Sequence, residues 1–324
     1  MPQHDMQHEL MHSSQQHSQQ SSQQRSQQSS QQNLNRCARN NTTDADETMF
    51  SRLELIMGTQ RLHTLQQARV MVLGLGGVGS NAAIALARGG VGTLILVDRD
   101  YVSPSNINRQ AVAFQSTIGK AKTDVMRALI SDINPQCKVI CLQAFLDKDT
   151  IAAQLEALPR PHYVIDAIDT IAQKLRIAQW CQDTNIPLIA SMGGANKLNP
   201  ERFHITTIEK TKSCPVCKVM RKECKKRNIR KLEVLYSTEV PIPQRCIGES
   251  ATDDMHKEAA PGVDTPIAAG TDGGSAHAQP GARPQKAQTL GTMSYIPPIM
   301  GFMLAGHVIC KLTQLENPYA NYQR

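Results

Sequence analysis

The chain has 324 residues, 40% apolar, 19% charged and only 4% aromatic, and its 35 Lys or Arg against 28 Asp or Glu give a net charge of +7. No run of about 18 or more confidently apolar residues reads as a membrane span, the N-terminus has no apolar signal-peptide core, and an odd set of nine cysteines does not suit a secreted disulfide framework. These exclusions favour a cytoplasmic, reducing home and leave the partner to be decided by where the charge lies.

Residues 1–48 are expected to be a disordered tail. Met1–Gln32 alone holds twelve Gln, eight Ser and four His, too little apolar surface to offset the entropy of ordering. Its His4, His8, His12 and His17 sit on no defined element and read as solvated side chains rather than metal ligands.

From Met49 to Arg245 strands and helices alternate. Arg69–Leu73 is a short β-branched run, Ser80–Ala87 is Ala-rich and helical, and Thr93–Val97 is a second buried strand. Lys120–Ile133 has helical spacing and stops at Asn134-Pro135, since the residue before proline disfavours the helical conformation. Lys138–Leu142 and Tyr163–Ile168 read as strands, Leu175–Gln182 as a helix and Pro187–Ala190 as a strand. Continuous apolar strands in such alternation predict an α/β fold: a Rossmann-like, doubly wound, mostly parallel sheet with helices on both faces. Residues 246–288, rich in Gly, Ala, Pro and Asp, read as a low-complexity insertion. Residues 289–324 are expected to bring a helix back onto the same domain. Ala287–Cys310 lacks Asp, Glu, Lys and Arg, but Pro297-Pro298, His307 and several glycines favour a packed helix over a membrane-associated one.

The chemistry begins at Gly74-Leu75-Gly76-Gly77-Val78-Gly79, which follows the first strand and opens the first Ala-rich helix. Glycines here let backbone N–H groups approach phosphates, and a helix N-terminus adds partial positive charge. Asp98 closes the second strand, where a carboxylate can accept hydrogen bonds from a ribose, and Asp100 follows. A bare glycine motif is a weak signal; the strand, helix and carboxylate around it strengthen it. The loop alone does not separate a dinucleotide from a mononucleotide. The segments behind it do: Ser105-Asn106-Ile107-Asn108-Arg109-Gln110, Lys120-Ala121-Lys122 and Asp166-Ala167-Ile168-Asp169. Hydride transfer needs no cations at a triphosphate, whereas nucleotidyl transfer builds charge on the α-phosphate and the leaving pyrophosphate, which Arg109 and Lys122 could stabilise. Asp169, at the carboxyl end of a strand, could hold the Mg²⁺ that accompanies ATP.

Together these residues resemble the HesA/MoeB/ThiF family of adenylating enzymes, over Phe50 to about Leu312 apart from the insertion. The resemblance implies ATP binding by Gly74, Gly76, Gly77, Gly79, Asp98, Asp100 and Asn106, with Arg109, Lys122 and Asp169 in the catalytic roles. It further implies a homodimer in which an N-terminal arginine, Arg52 or Arg61, reaches the neighbouring site. Within the family the chain is most similar to members that modify tRNA, which implies ATP-dependent cyclisation of threonylcarbamoyladenosine beside the anticodon, by adenylation of its threonyl carboxylate. The alternative is adenylation of the C-terminus of a ubiquitin-like sulfur carrier, with a cysteine desulfurase or sulfur acceptor as a further partner.

The net charge is local. Lys210–Lys231 holds ten Lys or Arg and one acid, Glu223, a net +9 that leaves −2 on the remaining chain. Cys214–Ile229 can be written as an amphipathic helix whose Lys218, Arg221, Lys222, Lys225 and Lys226 are the candidate tRNA-phosphate contacts. Cys214-Pro215-Val216-Cys217 is half a zinc pattern; Cys224 and Cys246 are isolated, so reduced thiols are the preferred reading and no metal is assigned. Cys137, Cys141 and Cys181 fall in core elements and are expected to be buried and inert.

Overall fold

The computed structural model describes residues 47–147, 149–243 and 290–316. The expected N-terminal tail up to residue 46 and the whole of the expected insertion lie outside the described residues. The chain divides into two units after Arg52. Of the first, residues 47–52 are described: Ser51 N donates to Thr48 O at 3.1 Å, and Arg52 pairs with Glu47.

The second unit is built on one seven-stranded sheet. Its strands are β1 (Arg69–Leu73), β2 (Thr93–Val97), β3 (Lys138–Leu142), β4 (Tyr163–Asp166), β5 (Leu188–Ser191), β6 (Phe203–Thr207) and β7 (Glu233–Ser237). They lie in the order β3-β2-β1-β4-β5-β7-β6, all neighbours parallel except the antiparallel β7–β6 pair. The mostly parallel, doubly wound sheet expected from the alternation is therefore present. The chain starts at β1, runs outward to β3, then returns to β4 on the other side of β1, so the direction of winding reverses between β1 and β4. At such a switch point the loops leaving the strands diverge and open a crevice for a ligand. The register sets the three loops side by side: Leu73 is opposite both Val97 and Asp166.

Helices α1 (Ser51–Met57) and α2 (Thr59–Gln66) precede β1. The crossovers carry α3 (Gly77–Arg88), α4 (Lys122–Ile133), α5 (Ile151–Glu156), α6 (Ile171–Asp183) and α7 (Pro215–Lys226), and α8 (Ile296–Thr313) closes the described chain. One face of the sheet, with Met71, Leu73, Ile95, Val164 and Val234, shares a buried core with α5, α6 and α7. On the other, α8 packs along α3. That approach depends on Gly301: a Cβ there would stand 2.4 Å from Val78 O. Helix α8 is long and apolar enough to cross a membrane, but half of it is buried inside this fold.

Two local expectations differ, and three elements were not expected. Helix α4 starts at Lys122 because Ala121 is held in a bridge to Tyr101. Cys141 is only half-buried, unlike Cys137 and Cys181, because β3 is an edge strand. Strands β6 and β7 and the short α5 have no clear period in the sequence; β7 owes its place to β5, with which it pairs far along the chain.

Candidate active site

The glycine loop occupies the switch point. Gly74 leaves β1 at φ +86°, a left-handed conformation that costs glycine little. Gly79, in the first turn of α3, is a matter of space: a Cβ would lie 1.8 Å from Gly74 O. Gly77 is hemmed in from outside, its missing Cβ 2.7 Å from Pro297 Cβ and 3.2 Å from Arg109 Cγ. Gly76, by contrast, has nothing within 4 Å on that side. It is the N-cap of α3 and supplies no side-chain cap, so the first-turn N–H groups are left for an external acceptor. This open cradle of amides fits a phosphate.

Asp98 fastens the loop to β2. Its Oδ2 accepts from Leu75 N at 2.5 Å and its Oδ1 from Asp100 N at 2.7 Å. The carboxylate predicted for a ribose thus also orders two turns. Asp100 is half-exposed and receives Lys122 Nζ at 3.0 Å, while the Lys122 side chain is only 6% exposed. Asn106 is buried and caps its own short turn, Oδ1 accepting from Ser103 N at 3.1 Å. Arg109 lies against the glycine loop; its Nη1 donates to Ser105 O and to Asn108 Oδ1, both at 2.8 Å. Asn108 in turn donates to Thr292 O at 3.0 Å, so the segment before α8 helps to hold the arginine. Asp169 is exposed beyond β4, its carboxylate touched by Thr170 Oγ1 at 3.4 Å.

Three residues before Asp169 is a member of a pair that the sequence reading did not identify. Asp166, fully buried, faces Lys174 Nζ at 3.2 Å, and accepts from Ile168 N at 3.0 Å. Burial pushes the Asp166 carboxyl up, while the Lys174 charge and the Ile168 amide oppose that shift. The pair anchors the turn from Asp166 to Asp169 directly beside Gly74, whose missing Cβ would lie 3.0 Å from Ala167 O. Asp166 belongs to a motif already visible in the sequence, but nothing there marks Lys174 as its partner.

The expected basic helix is α7. Cys217, Met220 and Cys224 face the core, and Lys218, Lys222, Lys225 and Lys226 are exposed. Arg221, the fifth candidate, is half-buried, its Nη1 donating to Thr211 O at 2.8 Å. Lys226 pairs with Glu223 at 3.0 Å, and Arg227 also binds Glu223. Among the described residues no acid pairs with Lys218, Lys222 or Lys225, which are exposed and spaced along one side of the helix. Of the two candidate N-terminal arginines, Arg61 is committed within its chain, its Nε donating to Thr313 O at 3.2 Å. Among the described residues no cluster of three or more His, Cys, Asp or Glu could hold a metal ion.

A glycine loop and an uncapped helix start at the switch point of a doubly wound sheet define the class: a nucleotide-binding α/β protein. Comparison with known proteins makes this specific. The ThiF family matches residues 50–324, and the chain belongs to it. It is 41% identical over 265 residues to the tRNA threonylcarbamoyladenosine dehydratase of Bacillus subtilis (strain 168), covering 81% of this chain and 94% of that protein. The crystal structure of E. coli tRNA N6-threonylcarbamoyladenosine dehydratase, TcdA, in complex with ATP superimposes with a TM-score of 0.65 at 26% identity, over 87% of this chain and 99% of that one. The molybdopterin-synthase adenylyltransferase of Escherichia coli (strain K12) is 36% identical, over 39% of this chain and 49% of that protein.

Proposed function

We propose that this protein is an adenylate-forming, tRNA-modifying enzyme of the cytoplasm that cyclises threonylcarbamoyladenosine beside the anticodon, using ATP. The observation that carries the reading is the end-to-end likeness to the Bacillus subtilis dehydratase, 94% of whose length is covered. The likeness to a carrier-protein adenylyltransferase spans only 39% of this chain, which ranks sulfur-carrier activation second.

The first-turn amides of α3 and the loop from Gly74 to Gly79 would receive the ATP phosphates, with Asp98 at the ribose. Arg109 and Lys122 would contact the phosphates; Lys122 must exchange Asp100 for them, and the exposed Asp100 can turn to solvent when it does. Asp169 is an exposed hard-oxygen donor and fits Mg²⁺, which when bound would neutralise phosphate charge. The threonyl carboxylate attacks the α-phosphate, and the new P–O bond releases pyrophosphate. An atom of the same modified side chain then attacks the activated carbonyl, AMP leaves, and a ring closes with net loss of water. The second step is intramolecular, so holding the side chain in place supplies much of the rate and no enzyme nucleophile is required. The Lys218–Lys222–Lys225 stripe supports a role in binding tRNA phosphates. The homodimer is supported by Leu55 and Ile56 on α1, 88% and 80% exposed, apolar area that a second copy would cover.

Nucleoside mass spectrometry of tRNA from cells lacking this gene tests the reading. Loss of cyclic threonylcarbamoyladenosine, restored by the wild-type gene, is expected. Pyrophosphate release from ATP driven by a carrier protein and not by tRNA would promote the second reading instead.

A further inference from the structure

Cys214 and Cys217 take no part in the chemistry above, yet they are unlike the other cysteines. Cys214 is the N-cap of α7 and Cys217 lies three residues on, inside its first turn. Both are reduced, and both side chains are covered: Cys217 is completely buried, and Cys214 sits above it between exposed Ser213 and exposed Pro215. Lys197, itself 3% exposed, adds positive charge, its ammonium donating to Glu239 O.

The two thiols are thereby made different. Its hydrogen bond from Cys217 outweighs burial and, with the backbone amides and Lys197, holds Cys214 down at about 6. The hydrogen bond to Cys214 and then burial push the Cys217 thiol far up. Every other described cysteine with a resolved shift is pushed up by burial: Cys137 to about 11, Cys181 above that, Cys224 to about 11, and Cys141 and Cys310 upward. Two sulfurs without a third metal-binding neighbour among the described residues suit a dithiol better than a metal centre.

We infer that Cys214 and Cys217 form a redox-active dithiol, with the outer Cys214 as attacking thiolate and the buried Cys217 as resolving thiol, oxidised by small-molecule disulfides such as glutathione disulfide. The Cys214 thiolate attacks one sulfur of the disulfide, forming a mixed disulfide and releasing one glutathione thiolate. That thiolate takes the Cys217 proton, and Cys217 then attacks Cys214 Sγ and expels the second glutathione. The protein has lost two electrons and two protons, and one disulfide has become two thiols. The two cysteines have the spacing of a Cys-x-x-Cys pair, one at the helix start and one in its first turn. This inference does not depend on the tRNA reading.

The test equilibrates the full chain in glutathione buffers of increasing oxidised fraction, traps free thiols by alkylation, and maps the products by peptide mass spectrometry. An internal Cys214–Cys217 disulfide is expected while Cys137, Cys181 and Cys310 stay reduced. In the reduced protein at pH 7, Cys214 should be alkylated about tenfold faster than Cys310. Cys217→Ser should accumulate a lasting Cys214–glutathione adduct, and Cys214→Ser should leave Cys217 unmodified. The inference is overturned if the wild-type chain forms no internal disulfide under oxidising buffer, or if Cys217→Ser, folded by circular dichroism, forms no adduct. Zinc bound near one equivalent and shielding both thiols until chelated would overturn it equally.

Discussion

Lys122 and Asp100 form an unequal pair: the ammonium is 3.0 Å from the carboxylate, yet the lysine is 6% exposed and the aspartate 52%. A buried cation needs a partner, and an exposed anion does not. The lysine can therefore pass from Asp100 to a phosphate without being left uncompensated. Lys122→Met should lower turnover by about 100-fold, roughly 2.7 kcal/mol of transition-state stabilisation. Asp100→Asn, which leaves the buried lysine unpaired, should lower the melting temperature, and ATP should restore more of it than in the wild type. Differential scanning fluorimetry with and without ATP reads this; equal shifts in both proteins would contradict the exchange.

Asp169 carries little structure, with one 3.4 Å contact from its neighbour. Asp169→Asn should therefore leave the fold and tRNA binding intact while tRNA-dependent pyrophosphate release falls by about 10²–10³-fold. Parallel loss of tRNA affinity, measured by filter binding, would make it a structural residue.

Asp166 and Lys174 present the opposite case. Removing either partner leaves a charge in the interior, so Lys174→Met should destabilise the protein by about 3–5 kcal/mol. Replacing both together by apolar residues should cost much less. Urea unfolding of the two single variants and the double variant forms a cycle that measures this directly.

Glu233 accepts from Tyr163 Oη at 2.8 Å, His307 Nε2 at 3.0 Å and Lys311 Nζ at 2.9 Å, fastening α8 to the sheet. Burial pushes the carboxyl up, but the bonds from His307, Lys311 and Tyr163 and the charge of His307 prevail and hold it at about 2. A carboxyl depressed in the folded state adds stability above its unfolded value of about 4.3 and loses it as pH falls toward its folded value. Glu233→Gln should thus cost about 2–3 kcal/mol at pH 7, and the gap to wild type should close between about pH 5 and pH 2. A gap independent of pH would mean that packing, not charge, is lost.

Lys222→Glu with Lys225→Glu should weaken tRNA binding at least tenfold and flatten its dependence on salt, with ATP affinity unchanged. Arg221→Ala should act differently, lowering stability through Thr211 with a smaller change in salt dependence. If Arg221→Ala gave the larger change in salt slope, the commitment of that side chain to Thr211 would be contradicted.

Read by itself, the amino-acid order determined what depends on neighbours in the chain. The parallel α/β alternation, the glycine loop between Leu73 and Ser80, and the carboxylates closing β2 and β4 were visible there, because strand period, turn chemistry and helix starts are local. The basic stretch was visible too, since charge can be counted. Partnership was not. Tertiary structure alone decided that Asp98 ties Leu75 to Asp100, that Lys174 pairs with Asp166, and that Arg221 bonds to Thr211 while Lys222 faces water. It also decided that β7 inserts between β5 and β6 and that Gly301 lets α8 lie against α3. Each of these joins residues whose sequence separation carries no periodic trace. They are selected by burial, which admits a charge or a close backbone contact only where the whole fold supplies its complement.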